Sequence, residues 1–485
     1  KKIFRSIYIH CGGLLSKLSY NELSASDLGA HDLLERASVL IDMMEYKEAE
    51  SVLREAMNRD DGKNKTDILK KLGNALFRQK KYKEAADIYG KAGDHYSKAR
   101  AIFRTGDRTA FSDVIKELVS MNDKRAGSLM LLLASDKRRN GESSEALKIY
   151  ESVKRDYPSE TENSQWGIGW TYYRTGEFRL AHDIFSDLYK IYGSPRYLYW
   201  KARCAERIGK DASGLYKQLA SKEQDFYGLL AHLKSIGRLT AIKDHGSKNH
   251  LEKFRSERVD LLIELGMKKE AVSELASITK KASSNDDIAC VALRLEAEEE
   301  YRLAISLASK LPDREGLRSV LYPYAYWSVV KDASERYGID PFIILSVMRE
   351  ESRFDPSARS VAGALGLMQL MPQTAFAMNR KVGLNITSRE QIHDVRTNIT
   401  IGSYYLSSLI SEFGSLPSAI ASYNAGEDTV RKWLKAGDYK SEDEFMEDIP
   451  YDETRNYTKR VLTSYLEYLR TSGETEIPKA LCILA

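Results

Sequence analysis

A unit of roughly 35 residues recurs through the first half of this chain, and that spacing restricts the fold more than any other feature. Tyr46 and Glu48-Ala49 reappear as Tyr82 and Glu84-Ala85, 36 residues on. Gly141-Glu142 and Ala146 reappear as Gly176-Glu177 and Ala181, 35 residues on. Leu72-Gly73, Ala75-Leu76 and Tyr89 complete one unit, and Gly266 with Glu270-Ala271 is a fainter echo. Small residues at fixed places suit pairs of helices in close contact. Proline agrees with this. Of ten prolines, only Pro158, Pro195 and Pro312 precede residue 323, and seven follow from Pro323 to Pro478. Proline-poor stretches permit uninterrupted helices. The expectation is a long helical region and then a more punctuated compact domain, with an ordinary bundle of coincidental similarity as the alternative.

The period resembles that of tetratricopeptide helix pairs, which stack into a superhelix with a large concave face. The expected class is all-α, with residues 1–235 as the repeat superhelix, open or closed into a ring. Residues 236–321 read as a helical linker domain and 322–475 as the compact domain. Between Ser194 and Ala231 the sequence is aromatic and basic, with Tyr197, Tyr199, Trp200, Arg203 and Phe226-Tyr227. Helical spacing makes most of these rings core; a ring facing the hollow could instead stack on a sugar. The acidic run Glu296 to Glu300 reads as a solvated helix face.

Composition removes several classes of function. The 485 residues allow roughly three domains. With 30% charged and 42% hydrophobic residues, the chain is globular rather than disordered. A net charge of +4 makes no case for nucleic-acid binding. No apolar run reaches the ~18 residues of a spanning helix. Lys1-Lys2 and the patch Ile3 to Ile9, broken by Arg5, are too short for a complete secretion signal. The chain does not begin with Met, which leaves room for a signal already removed. Cys11, Cys204, Cys290 and Cys482 lie far apart and read as separate buried thiols. Among the eight histidines only His393 is C-terminal, so no metal centre is expected there.

The compact domain carries the chemistry. Asp340-Pro341 is a strong helix start. Ile344, Val347 and Met348 then precede Glu351 by seven, four and three residues and share its face. A carboxyl at the end of an apolar stripe takes up a proton more readily than one in water. Glu350, about 100° around the helix, is expected to lean toward solvent. On spacing alone Glu351 could also be a surface charge or a cap partner. Ser360, Gly363 and Gly366 form a small-residue connection where backbone can approach a ligand. Gln369 offers a donor and an acceptor, and Met371 a soft apolar contact; either could be plain packing. Tyr423 could aim its hydroxyl at the acid or be a core ring. Asn424-Ala425-Gly426 suits a helix stop.

Glu351-Ser352, Gly366-Leu367-Met368-Gln369, Met371-Pro372, Ala421 to Gly426, and Ile449-Pro450 with Glu453-Thr454-Arg455 and Tyr457 together resemble the ordered motifs of soluble lytic transglycosylases. The resemblance covers nearly the whole chain and implies a lysozyme-like, mainly helical catalytic domain after the superhelix. It implies Glu351 as the single acid/base, and Ser360, Gln369 and Met371 as sugar-subsite groups. Tyr423 and Asn424 would stand in the cleft, and Glu453 would shape it. Two positions depart from the family. Ser422 stands where a small alanine-like residue is common, and Glu350 replaces a frequent Gln. The implied substrate is the peptidoglycan strand, cut non-hydrolytically between N-acetylmuramic acid and N-acetylglucosamine to leave a 1,6-anhydro end, in the periplasm. Neither cofactor nor metal is implied, and partners in wall synthesis or secretion are left unspecified. Two rivals stand beside this reading. A hydrolytic muramidase would need a second carboxylate, from Asp355, Asp394 or Glu453. A non-enzymatic repeat scaffold would need none of these groups.

Overall fold

The structure, a computed structural model, describes residues 1–221, 225–242, 256–281, 284–312, 314, 316–474 and 476. Every named element among them is helical; the only sheet-like pairings are isolated bridges from Leu365 to Arg359 and to Leu370. The all-α class is as expected. Two compact units are present, Lys1–Ile184 with Ser360–Gly363, and Phe185–Arg359 with Ala364–Ala485. Cys204 and Cys290 are buried and Cys11 is half-buried; Cys482 lies outside the described residues.

In the first unit the repeat has a steric origin. Helices α1 (Tyr46–Arg59), α2 (Lys65–Arg78) and α3 (Tyr82–Lys91) pack in sequence order. Tyr46 and Tyr82 each open a helix, and Ala49 and Ala85, three residues on, are fully buried. On α2, Gly73 lies under Tyr89 of α3: a Cβ there would come within 2.7 Å of the ring. Gly141 and Gly176 both have φ +85°, the left-handed turn that an L side chain resists. The Ala five residues after each is buried without exposure. The period therefore records where helices touch and where the chain must turn. Farther on, Glu296 to Glu300 is not a solvated helix face. It runs from a helix end at Ala297 through left-handed Glu299 to the residue capping the next helix, and Glu296 is half-buried.

The second unit holds α4 (Pro195–Arg207) and α5 (Phe226–Ile236). Tyr197, Tyr199, Trp200 and Phe226 are core residues, as their spacing suggests. It also holds α6 (Pro341–Glu351), α7 (Pro372–Asn379), α8 (Val395–Phe413), α9 (Leu416–Ala425), α10 (Glu442–Asp448) and α11 (Asp452–Ser472). Asp340 caps α6 by accepting from Phe342 N–H at 2.8 Å, and the Tyr465 hydroxyl of α11 donates to its other oxygen at 2.7 Å. From Phe342 to Met348 every α6 side chain is buried, and the helix packs against α11. A helix apolar all round is an interior helix, and this one carries its last residue, Glu351, to the edge of the core.

Between α4, α5 and α10 the packing is ionic. In helix α10 Asp443, Glu444, Glu447 and Asp448 are all buried. Tyr199 donates to Asp443 at 2.7 Å, and Arg203 pairs with the same carboxylate at 3.0 Å. Glu447 accepts from Trp200 Nε1 at 3.1 Å and from the Tyr227 hydroxyl at 2.7 Å. It also pairs with Arg196 and, at 3.0 Å, with Lys459 of α11. Burial pushes the Glu447 carboxyl up, but Arg196, Lys459 and Arg455 more than offset this and hold it well below the usual range.

Candidate active site

Glu351 is the last residue of α6, with Ile344, Val347 and Met348 fully buried along its face. Burial pushes its carboxyl up to about 7. The Tyr457 hydroxyl and Arg460 pull it down, while Glu350 and Glu453 push it further up. The carboxyl therefore exchanges a proton near neutral pH.

Immediately after it the chain reverses. Ser352 donates from Oγ to Leu367 O at 2.7 Å, pinning the helix end to the following loop. Arg353 and Phe354 take φ of +51° and +64°, a left-handed pair without a glycine. Such residues cost about 1–3 kcal/mol each and persist where surroundings enforce them; here Phe354 is buried against Tyr301.

The loop 365–370 is organised by a residue that no motif signalled. Asn398 of α8 is fully buried. It accepts from Met368 N–H at 2.8 Å and donates to Leu365 O at 3.0 Å and Ile392 O at 2.8 Å. A Cβ on Gly366 would fall 2.3 Å from that amide, and Gly366 has φ +75°. The space freed by this glycine is thus filled by Asn398 rather than offered to a ligand, which corrects the sequence reading. An Asn398→Ala change strands a buried N–H and two carbonyls. It is expected to cost about 2–4 kcal/mol and to loosen this loop, read as a lower denaturation midpoint and faster amide exchange at Met368.

Gln369, at φ +47°, turns its amide nitrogen onto Gly366 O at 2.8 Å and Ala358 O at 3.1 Å. Its donors serve the loop, and its carbonyl oxygen is the group left for a ligand. Met371 occupies the N-cap position of α7 and is 37% exposed. Tyr423 does not aim its hydroxyl at the acid as a donor; it donates to Met368 O at 2.8 Å, though it feels the Glu351 charge. The hydroxyl that faces Glu351 is that of Tyr457. It is buried, it interacts with the carboxyl, and it meets no partner at full hydrogen-bond geometry. Asn424 is exposed and accepts from Thr454 Oγ1 at 2.6 Å. Glu453 is exposed in the first turn of α11 and reaches Glu351 by its field alone. Ser360 falls within the residues grouped with the first unit, and so lies outside the unit holding Glu351.

Residues 328–446 match the transglycosylase SLT domain family. The soluble lytic murein transglycosylase of Escherichia coli K12 is 30% identical over 285 residues, spanning 56% of this chain and 43% of that protein. A putative soluble lytic murein transglycosylase of Haemophilus influenzae is 32% identical over 183 residues, 37% of this chain and 30% of that one. The chain thus spans less than half the length of the curated relatives it matches. An inactive mutant of the lytic transglycosylase Slt of Pseudomonas aeruginosa shares the fold at a TM-score of 0.63 and 22% identity, covering 98% of this chain and 79% of that one. The 70 kDa soluble lytic transglycosylase of Escherichia coli does so at 0.60 and 21%, covering 96% and 78%.

The SLT match ends at residue 446, so Glu453 and Tyr457 reach Glu351 from a helix beyond the matched stretch. Glu350 also departs from its expected exposure. Its side chain is only 10% exposed, because Arg349 pairs with it, Ser464 Oγ donates to it at 2.8 Å and Arg460 Nε at 3.1 Å. Turning 100° from the Glu351 face brings it onto α11 rather than into water.

Proposed function

We propose that the chain is a lytic transglycosylase cutting peptidoglycan glycan strands, with Glu351 as its one acid and base. The observation that carries this is a carboxyl raised to about 7 at the end of a buried helix, with no second carboxylate placed as a catalytic partner among the described residues. Of the three candidates for a hydrolytic partner, Asp355 is engaged by Arg302 at 2.8 Å and by Ser357. Asp394 caps α8 by accepting from Thr397 N–H at 2.9 Å. Glu453 is exposed, and a water-activating base would have to be that residue.

The protonated Glu351 donates to the glycosidic oxygen between N-acetylmuramic acid and N-acetylglucosamine as the C1–O bond breaks. The muramic acetamido oxygen bonds to C1 and holds the positive charge there. Glu351, now ionised, takes the proton from the C6 hydroxyl of the same sugar; O6 attacks C1 and displaces the acetamido oxygen. A 1,6-anhydro ring results, no water is consumed, and acid and base roles alternate on one side chain. Tyr457 is suited to support the ionised stage, since its hydroxyl faces Glu351 and can donate to the carboxylate. Gln369 can accept from an acetamido N–H, and Met371 can cover a sugar face. Tyr423 would hold the loop at Met368, Asn424 and Glu453 would line the groove, and Ser360 would serve a subsite. In this reading residues 1–235 form the superhelix, 236–321 a linker domain and 322–475 the catalytic domain. The working compartment would be the periplasm. Among the described residues no helix is long and apolar enough to cross a membrane.

Mass analysis of purified peptidoglycan after digestion tests the reaction. Each released fragment should be lighter by one water than the product of hydrolysis. Reducing-end products from the same digest would mean a muramidase instead.

A further inference from the structure

Glu350 is the feature of this site that the reaction above does not use. It sits beside the reacting residue on α6, yet points onto α11, where two guanidinium groups converge on it. Arg349 is half-buried, donates from Nε to Leu321 O at 2.7 Å and from Nη1 to Ser464 Oγ at 3.1 Å, and lies 4.7 Å over the Tyr322 ring. Its position is set from several sides. Arg460 is different. It is 54% exposed, and among the described residues it donates to Glu350 at 3.1 Å. It stands three residues after Tyr457, so both emerge from the same face of α11. Its charge already reaches Glu351.

We propose that Glu350 is a positioning residue that keeps Arg460 on itself, so that this solvent-facing cation does not close onto Glu351 and fix it as a carboxylate. The inference rests on Glu351 being the acid of the proposed reaction. A guanidinium paired with that carboxylate would hold it ionised and block proton delivery. Glu350 opposes this twice. It occupies the guanidinium, and its own negative charge disfavours a second one next door. The remaining groups around the pair are Tyr457 and Glu453 on α11, Tyr423 on α9, and Tyr322 and Tyr468 behind Glu350. Of these only Glu453 could take over Arg460, and it lies one further helical turn beyond Tyr457.

The test compares wild type, Glu350→Gln and Glu350→Gln/Arg460→Gln. Glutamine keeps the shape and a hydrogen bond to Ser464 but removes the charge. In Glu350→Gln the high-pH limb of kcat/KM should move to lower pH, so that activity at pH 7 falls about 3–10-fold and the loss shrinks toward pH 5. Adding Arg460→Gln should move the limb back toward wild type. Carbon-13 titration of the Glu351 carboxyl in free protein, identified by its loss in Glu351→Gln, should follow the same order without any substrate. An unmoved limb in Glu350→Gln, with only a lower melting temperature, would reduce Glu350 to a tie between helices and overturn the proposal; so would a moved limb that Arg460→Gln fails to restore. A wild-type digest without anhydro ends is a separate outcome, which removes the parent reading while the carboxyl titration still decides this one.

Discussion

Under the proposed reaction, Glu351→Gln should lower turnover of peptidoglycan by about 10²–10⁴-fold, the usual share of general acid–base catalysis, and at the same time make the protein more stable above neutral pH. The two effects have one cause. Glu351 titrates at about 7 in the folded chain against an ordinary value of 4.5. Between those values the folded state holds more protons than the unfolded one, so stability falls as pH rises from 4.5 toward 7. Below 4.5 the contribution is fully present, and above 7 it is gone. The shift corresponds to at most about 3 kcal/mol, and glutamine removes the dependence. Urea denaturation at pH 5 and pH 8 measures it. A variant that keeps near full turnover ends Glu351's candidacy, and one whose stability shows the wild-type pH slope places the raised group elsewhere. In the proposed reaction the same value sets a loss of activity as pH climbs past about 7, since the first step needs the protonated acid.

The second large effect is far from the chemistry. Glu447→Ala should cost about 3–5 kcal/mol, because it takes the buried carboxylate away from the half-buried cations Arg196 and Lys459. Burial already pushes Lys459 down to about 8 even with Glu447 present. Without the carboxylate it sheds its proton more readily, so the damage grows as pH falls and the ammonium must form. An exposed pair such as Lys116 with Asp113 gives the contrast: deleting it should change stability by less than about 1 kcal/mol. Chemical denaturation of the two variants side by side is sufficient, and a loss at Glu447 no larger than at Asp113 would mean the buried cluster contributes no more than a surface pair.

Much of the fold was readable because its causes are local. A helix start needs a cap and a proline within two residues, and Asp340-Pro341 supplies both. The repeat was visible because Ala49 and Ala85, or Gly141 and Gly176, meet the same steric demand one period apart. The apolar stripe that ends at Glu351 lies within a single helix. What escaped were partners that the chain brings together from afar. Asp443 meets Tyr199 across 244 residues, and Glu350 meets Ser464 across 114. Glu350 therefore looked solvated. Asn398 carries no motif, since its role is defined by the backbone of a loop more than thirty residues upstream. Tyr457 was visible as a motif residue, but that its hydroxyl rather than that of Tyr423 faces the acid depends on how α9 and α11 lie against α6.

The left-handed pair Arg353-Phe354 has an electrical consequence. It stops α6 at Glu351, so the carboxyl rides on the terminus where unpaired peptide carbonyls gather the negative end of the helix dipole, about half an elementary charge. The backbone itself thus disfavours the anion, before any neighbouring side chain acts. Had the helix run on for another turn, that field would have moved past the acid, and its affinity for a proton would have declined. Where the chain bends is in this sense part of how the acid is tuned.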